Sequence, residues 1–257
     1  MCITKLYCLF LTIFLPLFTA SANDSPKMLA NKALLLYEKD LLQAYQLALK
    51  SWHLSQHQNN IEHRAWVHLA LGITYKQKGN FDSAFLLLNG AEQLFRRQNL
   101  LKETTWALTE AGSVRSQQSS FVEAHQLLTS AIQTLRKISP NSAQMAEAHR
   151  ELGLNYLRRQ LLKQSFLHLD TAKKIYEQLN DNYGLARTLN NIGLCYRNMD
   201  DAENALKSYL QALDAFEKLK DPPEQWLLCS STLLTLTDSW EIPLPVQWTI
   251  YMHAPFE

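Results

Sequence analysis

The chain has 257 residues, of which 47% are hydrophobic and 19% are charged. That composition suits a globular protein or a linear array of packed units and excludes a long disordered chain. Its 25 basic and 24 acidic side chains nearly cancel, so no global field draws it to nucleic acid or to an anionic membrane.

The first segment, MCITKLYCLFLTIFLPLFTASANDSPK, places Lys5 before an apolar run from Leu6 to Phe18 and ends it at Ala20-Ser21-Ala22. This order predicts a secretory signal peptide over residues 1–22, cleaved after Ala22. An uncleaved membrane anchor is the alternative. The expectation is an exported protein, periplasmic or extracellular. Loss of Lys5 makes acidic and basic side chains equal in number. Cys195 and Cys229 then remain, too few for a disulfide scaffold, so hydrophobic packing must hold the chain. If Cys195 and Cys229 lie on stacked parallel helices, their offset of about 9 Å along the axis is too long for a disulfide. Buried free thiols are expected.

Downstream, one pattern recurs. Gly72, Gly112, Gly153 and Gly193 return at a nearly constant interval of about 40 residues, a period typical of helical repeats. Three residues after each come Tyr75, Arg115, Tyr156 and Tyr196; twelve after come Ala84, Ala124, Ser165 and Ala205. Leu88, Leu128, Leu169 and Tyr209 follow, and then Ala91, Ala131, Ala172 and Ala212. A weaker first unit places Ala44, Ala48 and Ser51 in register and Lys32 where the Gly belongs. Terminal repeats are often atypical. The predicted units cover about 26–58, 64–99, 104–138, 145–180 and 185–220.

Each unit reads as two antiparallel helices. In the second unit the first helix spans about 64–77 and the second about 82–98. Gly79-Asn80 forms the turn, and Asp82 is the expected cap. Phe81, Ala84, Phe85, Leu88, Ala91 and Phe95 fall at helical spacing, an apolar face that stacked neighbours must bury. A Gly inside a helix costs about 1 kcal/mol against Ala, which a close helix crossing explains. The Tyr residues fill the space beside that crossing, and their hydroxyls need partners. Arg115 in place of Tyr predicts looser packing or solvent entry in the third unit.

The stretches LGITYKQKGNFDSAFLLLNGA and IGLCYRNMDDAENALKSYLQALDAF resemble the tetratricopeptide repeat in its longer variant, over roughly 26–222. Unit four departs from it with Gln160-Leu161, and unit five with Asp200-Asp201, where a Gly-containing turn is usual. The resemblance implies an all-α, right-handed superhelical solenoid of antiparallel helix pairs. It further implies that the first helix of each pair lines a concave face binding peptides or proteins. By repeat position that face holds Trp66, Trp106, Arg150, Arg187, Asn190, Asn191 and Arg197. Its early part is aromatic and its late part polar, rich in donors for peptide carbonyls or a carboxylate. Trp66 and Trp106, one repeat apart, either anchor a ligand or cover the core between helices. The carboxylate clamp of one branch of the family matches Arg150 and Asn191 but fails at Leu154, Leu227 and Ser231. Asn190 and Asn191 have a structural alternative, bridging helices through buried amides.

No catalytic motif stands in the sequence: no HExxH, phosphate-binding Gly loop or CxxC. His53 and His57 share a helix face, but no nearby Cys completes a metal set. Glu147 and Glu151 share a helix with no evident partner. The expectation is therefore a non-enzymatic, protein-binding scaffold with no cofactor, no metal, no nucleic-acid partner and no stable membrane insertion. After Asp221-Pro222-Pro223 the pattern fades. Residues 223–257 read as an atypical helix and an irregular tail. Two alternatives follow: the sensory half of a truncated membrane receptor, self-associating through its C-terminal end, or an envelope scaffold using its convex face.

Overall fold

The computed structural model describes residues 25–219. The predicted signal segment, Cys229 and the tail lie outside the described residues. Ten helices are present among them: α1 Pro26–Leu36, α2 Leu41–Ser55, α3 Ile61–Gln77, α4 Phe81–Arg97, α5 Leu101–Gln117, α6 Phe121–Ile138, α7 Ala143–Arg158, α8 Leu162–Leu179, α9 Asn182–Asn198 and α10 Ala202–Glu217. The chain is an all-α solenoid of paired antiparallel helices. It divides near the end of α4 into two compact units, one up to Leu94 and one from Phe95.

In the first unit, α1, α2 and α3 pack mutually around Ala30, Ala33, Ala48, Val67, Ala70 and Leu71. Small residues on three helices permit close axes. The helix over the second repeat begins at Ile61 rather than near 64, because Asn60 accepts the His63 backbone N–H at 3.0 Å. Its partner is capped by Asn80, which accepts the Ser83 backbone N–H at 3.3 Å. This corrects the expectation for Asp82, which lies inside the first turn. Lys32 is exposed and makes no close approach; Ala33, one residue on, is buried with Ala48. The α1–α2 connection runs from Tyr37 to Asp40, one residue longer than the connection from Lys78 to Asn80. The repeat register is therefore not carried back across it.

In the second unit, α5–α6, α7–α8 and α9–α10 form the closest pairs. A Cβ on Gly112 would lie 2.7 Å from Leu128 Cγ, and one on Gly153 2.7 Å from Leu169 Cγ. Gly193 meets the Tyr209 ring in the same way, and Gly72 in the first unit meets Leu88. The paired residues Ala84, Ala124, Ser165 and Ala205 are fully buried. Repeat glycines thus sit where the second helix crosses the first.

Seven residues after each repeat Gly, the turn residues Gly79, Ser119, Gln160 and Asp200 have φ of 76°, 62°, 57° and 59°. The following N–H bonds back to the carbonyl of Tyr75, Arg115, Tyr156 or Tyr196 at 2.9–3.0 Å. Three of the four turns therefore place a side chain in the left-handed region that Gly occupies more easily. Arg115 does not leave a loose site. Its Nε pairs with Glu123 at 2.9 Å, and its Nη1 donates to Gln118 at 2.9 Å.

Candidate functional site: a polar face on alternate helices

The second unit brings five of the expected site residues onto two neighbouring first helices. Arg150 lies on α7; Arg187, Asn190 and Asn191 lie on α9, with Arg197 one to two turns further on. Arg187 and Glu147 occupy the same position in successive repeats, so a charge on α9 meets the opposite charge on α7.

Glu147 is the centre of this contact. Its Oε2 accepts from Arg150 Nε at 2.9 Å and from the Tyr176 hydroxyl of α8 at 2.9 Å. Its Oε1 accepts from Arg150 Nη2 at 2.6 Å and from Arg187 Nη2 at 3.4 Å. Glu151 takes a further hydrogen bond from Arg150 Nη2. Burial acts to raise the Glu147 pKa, but the guanidinium groups of Arg150 and Arg187 overcome it and hold the carboxyl well below the usual range. Arg150 is only 4% exposed, and its carboxylate partners keep it charged against the opposing effect of burial. The Tyr176 hydroxyl is pushed up by its burial and by the Glu147 charge.

This arrangement corrects two expectations. Arg150 is not an open donor; two internal carboxylates satisfy it. Glu147 and Glu151 do have partners, and the signal was in the sequence: acids at i and i+4 around Arg150, and Arg187 at the matching repeat position. Tyr176 carried no such signal, because its hydroxyl reaches Glu147 only through the α7–α8 packing.

The remaining residues differ in access. Arg187 has a side chain 26% exposed and lies over the Tyr183 ring, 5.3 Å from its centroid. Asn190 is half-buried and Asn191 buried, while Arg197 is exposed. Trp106, on α5, is half-buried, and its indole N–H donates to Glu110 at 3.4 Å. Arg158 of α7 donates to Ser116 of α5 at 3.0 Å, a second polar tie between neighbouring first helices. Trp66, in the first unit, packs on the cluster formed by Ala30, Ala33 and Ala48. Lys27, paired with Glu62, sits 5.6 Å from its ring centroid. Covering the core is what this Trp does there. Cys195 is a buried free thiol contacting Ser165 Oγ at 3.1 Å.

A separate cleft of about 200 Å³ opens beside the second helices, lined by residues of α8, α9 and α10 that include Phe166, Asp170, Lys173, Tyr196 and Lys207. Among the described residues, no group of three His, Cys, Asp or Glu side chains forms a metal site, and no helix is long and apolar enough to cross a membrane.

Paired antiparallel helices with a close Gly crossing in pair after pair define a helical-repeat fold that resembles the tetratricopeptide type. Residues 144–218 match the tetratricopeptide repeat family. Among solved structures, the chain is similar to a Rap protein complexed with competence and sporulation factor: TM-score 0.71, 14% identity, covering 92% of this chain and 66% of that one. It is also similar to a thermophilic TPR protein of Thermus thermophilus, with TM-score 0.61, 17% identity and coverage of 83% and 99%. A third similar structure is BtubC from P. vanneervenii, with TM-score 0.59, 18% identity and coverage of 74% and 78%. A search of the curated proteins found no match.

Proposed function

We propose that the chain is a non-enzymatic scaffold binding a peptide or another protein through the first-helix face of the second unit. The observation that carries this is the α9 row. Arg187, Asn190 and Arg197 keep solvent-accessible polar groups at spacings of three and seven residues, which place them along one side of a helix. Beneath them Glu147, Arg150 and Glu151 carry one net negative charge, which Arg187 balances, so the cluster positions Arg187 at the head of the row. The donors suit backbone carbonyls and carboxylates of an extended peptide. The similar Rap protein, complexed with competence and sporulation factor, supports a binding role for this architecture. The signal-like first segment supports an exported location.

The test is selection from a displayed peptide library with the purified chain. Peptides enriched by the wild type should bind at least tenfold more weakly to an Arg187→Ala/Arg197→Ala variant and to a Trp106→Ala/Arg187→Ala variant. Both variants should keep their helical circular dichroism. Unchanged affinity in folded variants overturns the assignment. A second reading, an assembly scaffold working through the second-helix side, is favoured by the cleft at Phe166, Tyr196 and Lys207. It predicts that Lys207→Glu, not the Arg187 change, removes binding.

A further inference from the structure

Three histidines outside the polar face stand together in the second unit. His149 on α7 and His168 on α8 approach with their Nδ1 atoms 3.0 Å apart. Their ring centroids are 5.2 Å apart, so the two nitrogens lie almost on the line between the rings and point at one another. Such a contact needs one N–H donor and one bare nitrogen acceptor. The His168 ring stacks on Tyr156 at 5.5 Å and 11°. The Tyr156 hydroxyl in turn meets His125 Nε2 of α6 at 3.0 Å. One continuous contact chain thus joins α6, α7 and α8.

The surroundings disfavour positive charge. His149 is 7% exposed. The charged groups acting on it are His168 and Arg136 of α6; the one acting on His168 is His125 of α6. Arg159, at the end of α7, lies 5.9 Å from the Tyr156 centroid. α5 and α9 also pack against α7; among the described residues, neither contributes a charged group to the two rings, and no carboxylate acts on either ring to compensate a proton. Burial, first, and then the neighbouring imidazoles and, for His149, the Arg136 guanidinium hold both rings toward the neutral form.

We propose that His149 and His168 form a proton-sensitive latch between α7 and α8. With no more than one extra proton, the pair keeps its N–H···N bond. A second proton leaves two donors facing each other, removes the only acceptor of the pair and sets two charges side by side. The latch then opens, and α6–α7–α8 packing loosens while α10 stays in place. Other polar ties between α7 and α8 do not respond in this range. The Ser165 hydroxyl donates to the Gly153 carbonyl at 2.8 Å, a bond with no titrating member. Tyr176 donates to Glu147, whose carboxylate titrates well below the usual range. The histidine pair therefore yields first on acidification.

Hydrogen exchange of the full chain tests this, compared at pH 7.5 and pH 5.0 after correction for intrinsic rates. Amides of α7 and α8 should lose at least tenfold in protection, and those of α10 should change little. His168→Gln keeps a side-chain acceptor for His149 but cannot titrate, so it should diminish the acid response of α7 and α8, leaving only the part that the burial of His149 contributes. Equal wild-type protection at the two pH values overturns the latch, as does an undiminished response in His168→Gln. Should that variant fail to fold at pH 7.5, the wild-type imidazole resonances decide: titration of both rings near 6.5 overturns it, and depressed titration accompanied by α7–α8 line broadening supports it.

Discussion

At the scale of the residue, two backbone positions set opposite limits on what each repeat tolerates. Gly153 has no room for a methyl group: its Cβ would meet Leu169 Cγ at 2.7 Å and the Ser165 carbonyl at 3.3 Å. Gly153→Ala gains about 1 kcal/mol of helix propensity but overpacks a rigid branch point against backbone, which typically costs about 1–3 kcal/mol. A net loss of about 1 kcal/mol is expected, read as a lower urea midpoint with unchanged slope. Gln160 is the converse case. It adopts φ 57° where a side chain is strained by about 1–2 kcal/mol. Gln160→Gly should therefore raise the same midpoint, by about 0.5–1 kcal/mol after the greater freedom of Gly in the unfolded chain is counted. A lowered midpoint would show that the side chain makes a compensating contact.

At the scale of the element, the first helices carry the polar ties and the second helices the apolar face. Glu147 joins α7, α8 and α9 through Arg150, Tyr176 and Arg187. Glu147→Gln retains the volume but removes one of the two carboxylate charges on Arg150 and the partner of Arg187, which is expected to cost up to about 3 kcal/mol, the low end for loss of one member of a buried ion pair. Thermal unfolding checks this, with Arg187→Gln as the milder comparison because that side chain is partly in water. Equal losses would contradict Glu147 as the centre. Much of this layer was legible in the sequence. Gly spacing located the crossings because a Cβ-free surface has few substitutes, and charge alternation at Glu147 and Arg187 follows the repeat. What was not legible depends on packing across helices. Arg150 is buried where Tyr176 of α8 and Arg187 of α9 close on its partner Glu147, and the histidine contact joins positions 149 and 168, which the repeat does not relate. Lys32 misled because one extra residue in the first turn broke the register there.

At the scale of the whole molecule, stability should be asymmetric in pH. His68, in the first unit, and His149, in the second, have pKa values lowered to about 4, chiefly by burial. Each favours the neutral ring in the fold, so its contribution is complete above the unfolded value near 6.5 and disappears as pH falls toward 4. The full shift corresponds to about 3 kcal/mol per site. Glu147, whose folded pKa is depressed, contributes above its unfolded value near 4.5, and that contribution is lost at still lower pH. Urea midpoints should hold steady from pH 8 to 7, fall from 6.5 to 4, and fall further below. Midpoints unchanged between pH 7 and 5 would rule out buried neutral histidines in both units.

The pairing pattern also bears on how quickly the second unit is made. Its closest partners are successive helices: α5 with α6, α7 with α8, α9 with α10. Each pair closes across a short turn, so little chain entropy is lost before contacts form. A chain wired in this way has low contact order, and such chains belong to the fast end of folding rates. A hairpin emerging during synthesis already carries its own crossing, and the next arrives onto a finished surface.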